Sequence, residues 1–420
     1  MIIGSGIFLL PNAVAGLVGN ASIWVILFCT VLATILALCF AEMGSLFSRN
    51  GGPYLYARAA FGEFVGFEVG IMRWTIVITS WAALTAALAQ VLGASIPSLG
   101  GPIATKLVIC IMFLILALVN IRGVDITKYV NNVATIGKLI PIAFLVLLGI
   151  FFIEPAQVIP AVPELSDGNF ASAVLIMFYA FTGFGAISLA AADTENPRKN
   201  MPRAILLVIA IVAIVYLLIQ MVVTGVLGAD KLAASKAPLA DAARVFAGDF
   251  GYQLIMIGSI ISIFGITVSV SFVAPRLGVA LAEDRLLPPF IAKMSRYGTP
   301  MWSILIVTGL ALPLALSGSY TKIAAINVIA RLTTYIPVCL AVLVLRRKMA
   351  DQYTGFRVPF GPVVPLLGIG VCIWLMANSG VEKLVLGSGA LLVGAFLYLF
   401  MRWKYGESGI SPEAFGNASK

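Results

Sequence analysis

Three short stretches hold the residues whose types and spacing could do chemistry. Gly4, Ser5 and Gly6 fall together in "MIIGSGIFLLPNA", Gly183 and Gly185 in "FYAFTGFGAIS", and Lys138 stands alone in "NNVATIGKLIPIAF". None of them makes a nucleophile–base pair or a metal-ligand set. What a glycine pair offers is an interrupted helix with unspent backbone groups. Freed amides at Gly4, Ser5 and Gly6 would hold an anionic group, helped by the positive end of the half-helix that follows. Freed carbonyls from Phe178 to Thr182, Phe181 among them, would hold a cationic one. A carboxylate on one break and an ammonium on the other describe an α-amino acid.

The elements that must carry these breaks are membrane spans. The chain has 420 residues, 61% hydrophobic and 11% charged, with a mean hydropathy of +1.05. A soluble domain carries about 25% charged residues. Apolar runs of about 20 residues, enough to cross about 30 Å of hydrocarbon as helix, number twelve: 1–17, 22–46, 65–95, 103–121, 129–153, 170–192, 204–228, 251–282, 302–317, 323–345, 362–380 and 384–402. Barrel strands would alternate and run to about 10 residues, so the fold class is an all-α membrane protein. The opening run has neither the charged n-region nor the cleavage pattern of a signal peptide. It reads as the second half of a span whose first half is missing from the sequence.

Charge settles the expected orientation. The formal net charge of +9 is unevenly placed: sixteen Lys and Arg residues fall in the loops on the side of both termini, six on the other. By the positive-inside rule both termini are cytoplasmic and the chain sits in the cytoplasmic membrane. The basic balance is topological and gives no reason to expect a nucleic-acid partner; the partner of the surface is the lipid bilayer. All five cysteines lie in apolar runs without metal-ligand spacing, as packing residues do. The chain has no histidine, which removes the usual proton relay and most zinc chemistry. "GSGIF" lacks the lysine of a phosphate-binding loop and the strand context of a dinucleotide fingerprint. No cofactor, no metal and no ATP-driven pump is expected, and no midplane acidic pair or serine–base set suggests an enzyme.

The two breaks lie in spans 1 and 6. Five crossings separate them, so they traverse the membrane in opposite directions, the arrangement of inverted repeats whose discontinuous helices meet near the midplane. Irregular backbone is tolerated at that depth only when it lines a cavity or is buried in protein.

Several motifs, in order along the chain, resemble those of the amino acid–polyamine–organocation family of transporters. They are "IGSGIF" in span 1, "GGPYLYARAAFG" at 51–62, "GFGAIS" in span 6, "ENPRKNMPRAI" at 195–205, "LAEDRLLPP" at 281–289 and "YGTP" at 297–300. The resemblance implies a leucine-transporter-like fold with a five-plus-five inverted repeat. Residues 1–153 would form the first repeat and 154–345 the second, with spans 11 and 12 in 346–402 and a cytoplasmic tail at 403–420. It also implies that the substrate carboxylate meets the Gly4–Ser5–Gly6 turn, with the Ser5 hydroxyl assisting. The α-amino group would meet carbonyls of Ile2, Tyr179 and Thr182, with Gly183 completing the break. Tyr179 would cover the substrate from outside and Tyr335 would belong to the inner gate.

Two departures bear on the substrate. Gly185 stands where relatives that carry cationic substrates have an acid, and Arg73 replaces a span 3 aromatic of the gate. A deep acid would be needed to neutralise a cationic side chain, so arginine, ornithine and polyamines fall behind. A zwitterionic amino acid with a neutral side chain becomes the expected substrate, with an acidic one next.

Lys138 lies about 14 Å into span 5 at about 1.5 Å per residue, near the midplane, where Lys costs at least about 2.5–3.5 kcal/mol. The expectation is that its ammonium stands where sodium-coupled members of this fold hold sodium. There it would bridge the span 1 break to span 8, which offers Thr267, Ser269 and Ser271, either as a fixed cation or as a proton-coupling group. Both predict sodium-independent transport, with protons or a counter-transported amino acid as partner; a homodimer is compatible with the reading. Arg276 and Arg331 are placed towards the ends of their spans, Glu42 at an interface, and Arg73 near Glu68. The alternatives are a cationic amino acid or polyamine antiporter of the same family, and a non-transporting amino acid sensor.

Overall fold

Proline and glycine punctuate a chain that is otherwise helical. In the computed structural model, which describes residues 3–47, 52–123, 127–159, 162, 168–185, 196–284, 286–317, 319–349 and 356–405, the extended elements are all helices. The first apolar run is divided into α1 (Ser5–Leu9) and α2 (Pro11–Val18), with Pro11 at the first helical position, where its missing N–H costs nothing. Then come α3 (Ser22–Leu46), a short α4 (Pro53–Phe61) and α5 (Glu63–Ser95), followed by α6 (Pro102–Arg122), α7 (Thr127–Gly149) and α8 (Pro155–Val158). The second half runs through α9 (Asn169–Phe181), α10 (Pro197–Leu227), α11 (Ala229–Ala234), α12 (Pro238–Glu283), α13 (Met301–Ser317) and α14 (Tyr320–Lys348). It ends with α15 (Val363–Ala377), α16 (Val381–Ser388) and α17 (Ala390–Tyr405).

Among the described residues, eight stretches can cross a membrane by length and composition, and three shorter apolar helices, α9, α13 and α15, accompany them. The difference from the twelve expected spans has local causes. Pro11–Leu46 counts once, although the turn at Gly19–Ala21, opened by Gly19 at φ +53°, divides it. The expected span 170–192 stops being helix at Phe181, and its remainder from 186 lies outside the described residues. The expected cytoplasmic element at 51–62 is α4. One boundary was misplaced: α12 begins thirteen residues before the expected span, at Pro238, and bends at Gly248, whose φ of +57° no other residue type adopts cheaply.

The helices pair in a definite pattern: α3 on α10, α7 on α12, α5 on both α12 and α14, and α6 on α13. Lipid tails are as apolar as leucine, so close backbone approach supplies the attraction. The α7–α12 contact shows it. A Cβ at Gly137 would lie 2.8 Å from Ile261 Cγ2, and one at Gly258 would run into the ring of Pro141.

One buried ion pair ties the assembly at the end of α3. Glu42, with no solvent exposure, accepts bidentate bonds of 2.6 Å from Nε and Nη2 of Arg346 on α14 and a further 2.6 Å bond from the Val358 amide. It is an internal clamp and not the interfacial anchor expected from sequence. Replacing one partner leaves the other charge buried, at a cost of about 3–5 kcal/mol. Glu42→Ala is therefore expected to lower the thermal unfolding midpoint of the detergent-solubilised protein by several degrees, and Arg346→Ala to do the same.

Candidate functional site

The two interrupted segments touch. Gly4, at φ −147° and ψ −150°, is extended, and α1 starts directly after it at Ser5. Gly6 therefore sits inside the first turn of α1, not in the break itself. The first amides of a helix have no intrahelical partner, so the expected anion cradle would be built from the turn that Gly4 opens. Gly6 has a second role that its sequence position did not reveal: a Cβ there would lie 2.6 Å from Ala180 Cβ and 2.7 Å from Ala180 Cα. Only glycine lets the start of α1 reach the last turn of α9.

α9 ends at Phe181; Thr182 turns extended at ψ +155° and Gly183 follows at φ +120°. Two residues secure this end. Tyr216 of α10, fully buried, donates to the Ala180 carbonyl at 3.0 Å and meets the Phe181 ring edge-to-face at 5.1 Å. Thr182 donates its hydroxyl to the Tyr179 carbonyl at 2.7 Å and its amide to the same oxygen at 3.2 Å. The Tyr179 carbonyl, expected to receive an ammonium, thus has both lone pairs engaged. An incoming ammonium must displace the Thr182 hydroxyl to use it. Ile2 lies outside the described residues. Tyr216 had no signal in the sequence, since a tyrosine in an apolar run reads equally as packing. Tyr216→Phe would leave a buried carbonyl without its donor, at about 1–3 kcal/mol. The expected result is a measurable fall in the thermal midpoint without loss of monodispersity.

Between these segments and the opposing helices is a cavity of about 340 Å³. One wall is backbone: Gly4, Ser5 and Gly6 from α1, with Tyr179, Ala180, Thr182 and Gly183 from the end of α9. The other wall is side chain: Arg73, Val77, Ser80 and Leu84 form one stripe of α5, and Arg331, Thr334 and Tyr335 come from α14. Aromatic groups mark its two limits. On one side Tyr179 meets Tyr320 edge-to-face at 6.0 Å, and the Tyr320 phenol donates to Ser5 Oγ at 3.1 Å. On the other, Tyr335, Phe40 and Phe184 form a mutual cluster with centroids 5.3–5.6 Å apart. Tyr320 and Tyr335 are separated by about 22 Å along α14 at about 1.5 Å per residue.

Several expectations about charged residues are corrected here. Arg331 is not at the end of its span; it lines the cavity from the middle of α14. Its Nε donates to Asn327 Oδ1 at 2.8 Å and Nη2 to Ser80 Oγ at 3.2 Å. Asn327, fully buried, is itself fixed by bonds of 2.7–3.0 Å to Ile76 O, Thr79 Oγ1 and Ser80 Oγ. Arg73 also lines the cavity, and it does not pair with Glu68: its Nε has no partner, nor has either Glu68 oxygen. Glu68 faces α17, where a Cβ at Gly394 would lie 2.6 Å from its Oε2.

Lys138 lies at the middle of α7, 5% exposed, and its ammonium donates to the Ile3 carbonyl at 2.9 Å. It therefore reaches the span 1 break, as its depth suggested. The span 8 hydroxyls are all buried in α12, and each donates within its own helix. Thr267 donates to Ile263 O at 2.7 Å, Ser269 to Gly265 O at 2.8 Å, and Ser271 to Val268 O at 2.7 Å. Ser271 Oγ also receives Asn120 Nδ2 at 3.2 Å. The ammonium's bond to Ile3 reaches the segment that leads into α1.

Residues 1–401 match the family profile described as amino acid permease. The chain is 32% identical over 407 residues to an uncharacterized transporter of Mycobacterium tuberculosis, covering 90% of this chain and 84% of that one. It is 30% identical over 405 residues to the serine/threonine exchanger SteT of Bacillus subtilis, covering 94% and 91%. It is 29% identical over 392 residues to the methylthioribose transporter of Bacillus subtilis, covering 89% and 84%.

Proposed function

The chain belongs to the amino acid permease family, whose members are membrane transporters and not enzymes, and from that premise we propose that it is a sodium-independent secondary transporter of an α-amino acid, working by exchange or proton symport. The observation that carries the reading is the cavity bounded by the first turn of α1 and the last turn of α9, two helix ends of opposite polarity brought together at Gly6 and Ala180. A substrate carboxylate would take the amides that open α1, with Ser5 Oγ held ready by Tyr320. The ammonium would take carbonyls of the last turn of α9, displacing the Thr182 hydroxyl where it uses Tyr179.

Twelve crossings with cytoplasmic termini complete the proposal, arranged as two inverted repeats over 1–153 and 154–345. The helix pairing supports them. α3–α10, α5–α12 and α6–α13 each join a crossing to its counterpart five later, and the α5–α14 and α7–α12 contacts exchange under the same operation. Alternating access would follow from rocking α1–α3, α9 and α10 against the remainder, with Tyr179 gating one side, and Tyr335 and Arg73 the other.

Lys138 would act as a permanent replacement for a coupling sodium, its ammonium already bonded to the Ile3 carbonyl. Carriage of cationic amino acids or polyamines loses support, because no described residue lining the cavity is acidic. The test is uptake into proteoliposomes with a panel of labelled amino acids, varying pH, external sodium and internal amino acid. Uptake stimulated by internal substrate or by a proton gradient, and unchanged by sodium, is the expected result. Uptake that rises steeply with sodium at fixed pH would remove the role given to Lys138. The absence of any flux, with binding retained, would favour a sensor.

A further inference from the structure

We propose that the transported amino acid carries an anionic side chain, a carboxylate received by Arg73 and Arg331; this rests on the amino acid transporter reading above and specifies its substrate. The two walls of the cavity differ in kind. The backbone wall of α1 and α9 accounts for the carboxylate and ammonium that all α-amino acids share. The opposite wall, on α5 and α14, presents two guanidinium groups, and nothing in the shared part of an amino acid calls for them.

Neither cation is neutralised by a described residue. No described residue lining the cavity is an aspartate or glutamate, and neither arginine takes part in an ion pair among the described residues. The acid nearest Arg73 in sequence, Glu68, has both oxygens without a hydrogen-bond partner and faces α17. The bonds from Arg331 Nε and Nη2 go to the neutral Asn327 Oδ1 and Ser80 Oγ, which orient the guanidinium without cancelling its charge. Arg73 Nε is buried with no hydrogen bond at all. Uncompensated charge at membrane depth is costly and marks a substrate path. Guanidinium groups are suited to carboxylate recognition because their fork of donors matches it bidentately. An amino acid seated by its ends on the backbone wall would extend its side chain across the cavity towards these two groups. Of the two substrates expected from sequence, a neutral side chain first and an acidic one next, the proposal takes the second, because Arg331 stands with Arg73 on the cavity wall.

The test compares pairs that differ in charge and hardly in shape. Labelled L-glutamate against L-glutamine, and L-aspartate against L-asparagine, are measured for uptake into proteoliposomes containing the full chain. Each acid is expected to exceed its amide at least tenfold in kcat/KM. Arg331→Gln and Arg73→Gln are each expected to bring that ratio towards one. A readout independent of the variants is thermal stabilisation of the unaltered protein in detergent, where glutamate is expected to raise the unfolding midpoint and glutamine is not. If the amides are transported as well as or better than the acids, the inference falls while the transporter reading stands. If no amino acid is bound or transported, both fall.

Discussion

Gly6→Val is expected to abolish transport, reducing initial uptake by at least 100-fold, while the protein remains extractable and monodisperse. The reason is metric. A Cβ at residue 6 already lies 2.6 Å from Ala180 Cβ and 2.7 Å from Ala180 Cα, distances at which something must move. Overpacking a close-packed interior costs about 1–3 kcal/mol. More damaging is the direction of relief: α1 and α9 must separate, which pulls the proposed carboxylate cradle away from the proposed ammonium site. Gly6→Ala should show a milder form, about tenfold. Combining it with Ala180→Gly removes the Cβ contact but leaves the one to Cα, so rescue should be partial. Full activity in Gly6→Val would show that the two helix ends need not touch.

Lys138→Ala is expected to lower exchange by about 10–100-fold, and Lys138→Arg not to restore it. The ammonium's bond to the Ile3 carbonyl at 2.9 Å is a charge-assisted bond in a buried setting, worth about 1.5–3 kcal/mol, and about 1.4 kcal/mol corresponds to tenfold. Losing it frees the segment leading into Ser5 and so is expected to disorder the proposed anion cradle. Arginine keeps the charge but not the compact tetrahedral head, and α7 and α12 leave little room at Gly137 and Gly258. The check is homo-exchange in proteoliposomes at several pH values. Wild-type rates with Lys138→Ala would assign the lysine a packing role only.

How much of this was legible in the sequence depended on what kind of information each feature needs. Depth was readable. Glycines in an apolar run mark a broken helix wherever it packs, so the α1 and α9 breaks appeared where "GSG" and "TGFG" stand, and counting residues along span 5 put Lys138 at the height of Ile3. Rotation about the helix axis was not readable. A span is apolar on its lipid face and its interior face alike, so there is no polar–apolar contrast to orient it. That is why Tyr216 passed unnoticed and why the partner of Glu42 was missed at a separation of 304 residues. Arg331 was instead a misjudged depth, and Tyr320 fell before the expected start of its span. Gly6 shows both limits at once. Its type signalled a special position, but only the crossing with Ala180 explains it.

The Glu42–Arg346 clamp has a dynamic consequence. It joins α3 to α14, which belong to the two bodies that the proposed rocking would part. A rocking that parts α3 from α14 at this end would have to break the clamp. The clamp acts as a toll on turnover: loosening it should yield a carrier that cycles faster and survives heating less well. Thermal endurance and speed would thus be set against each other by a single pair of side chains.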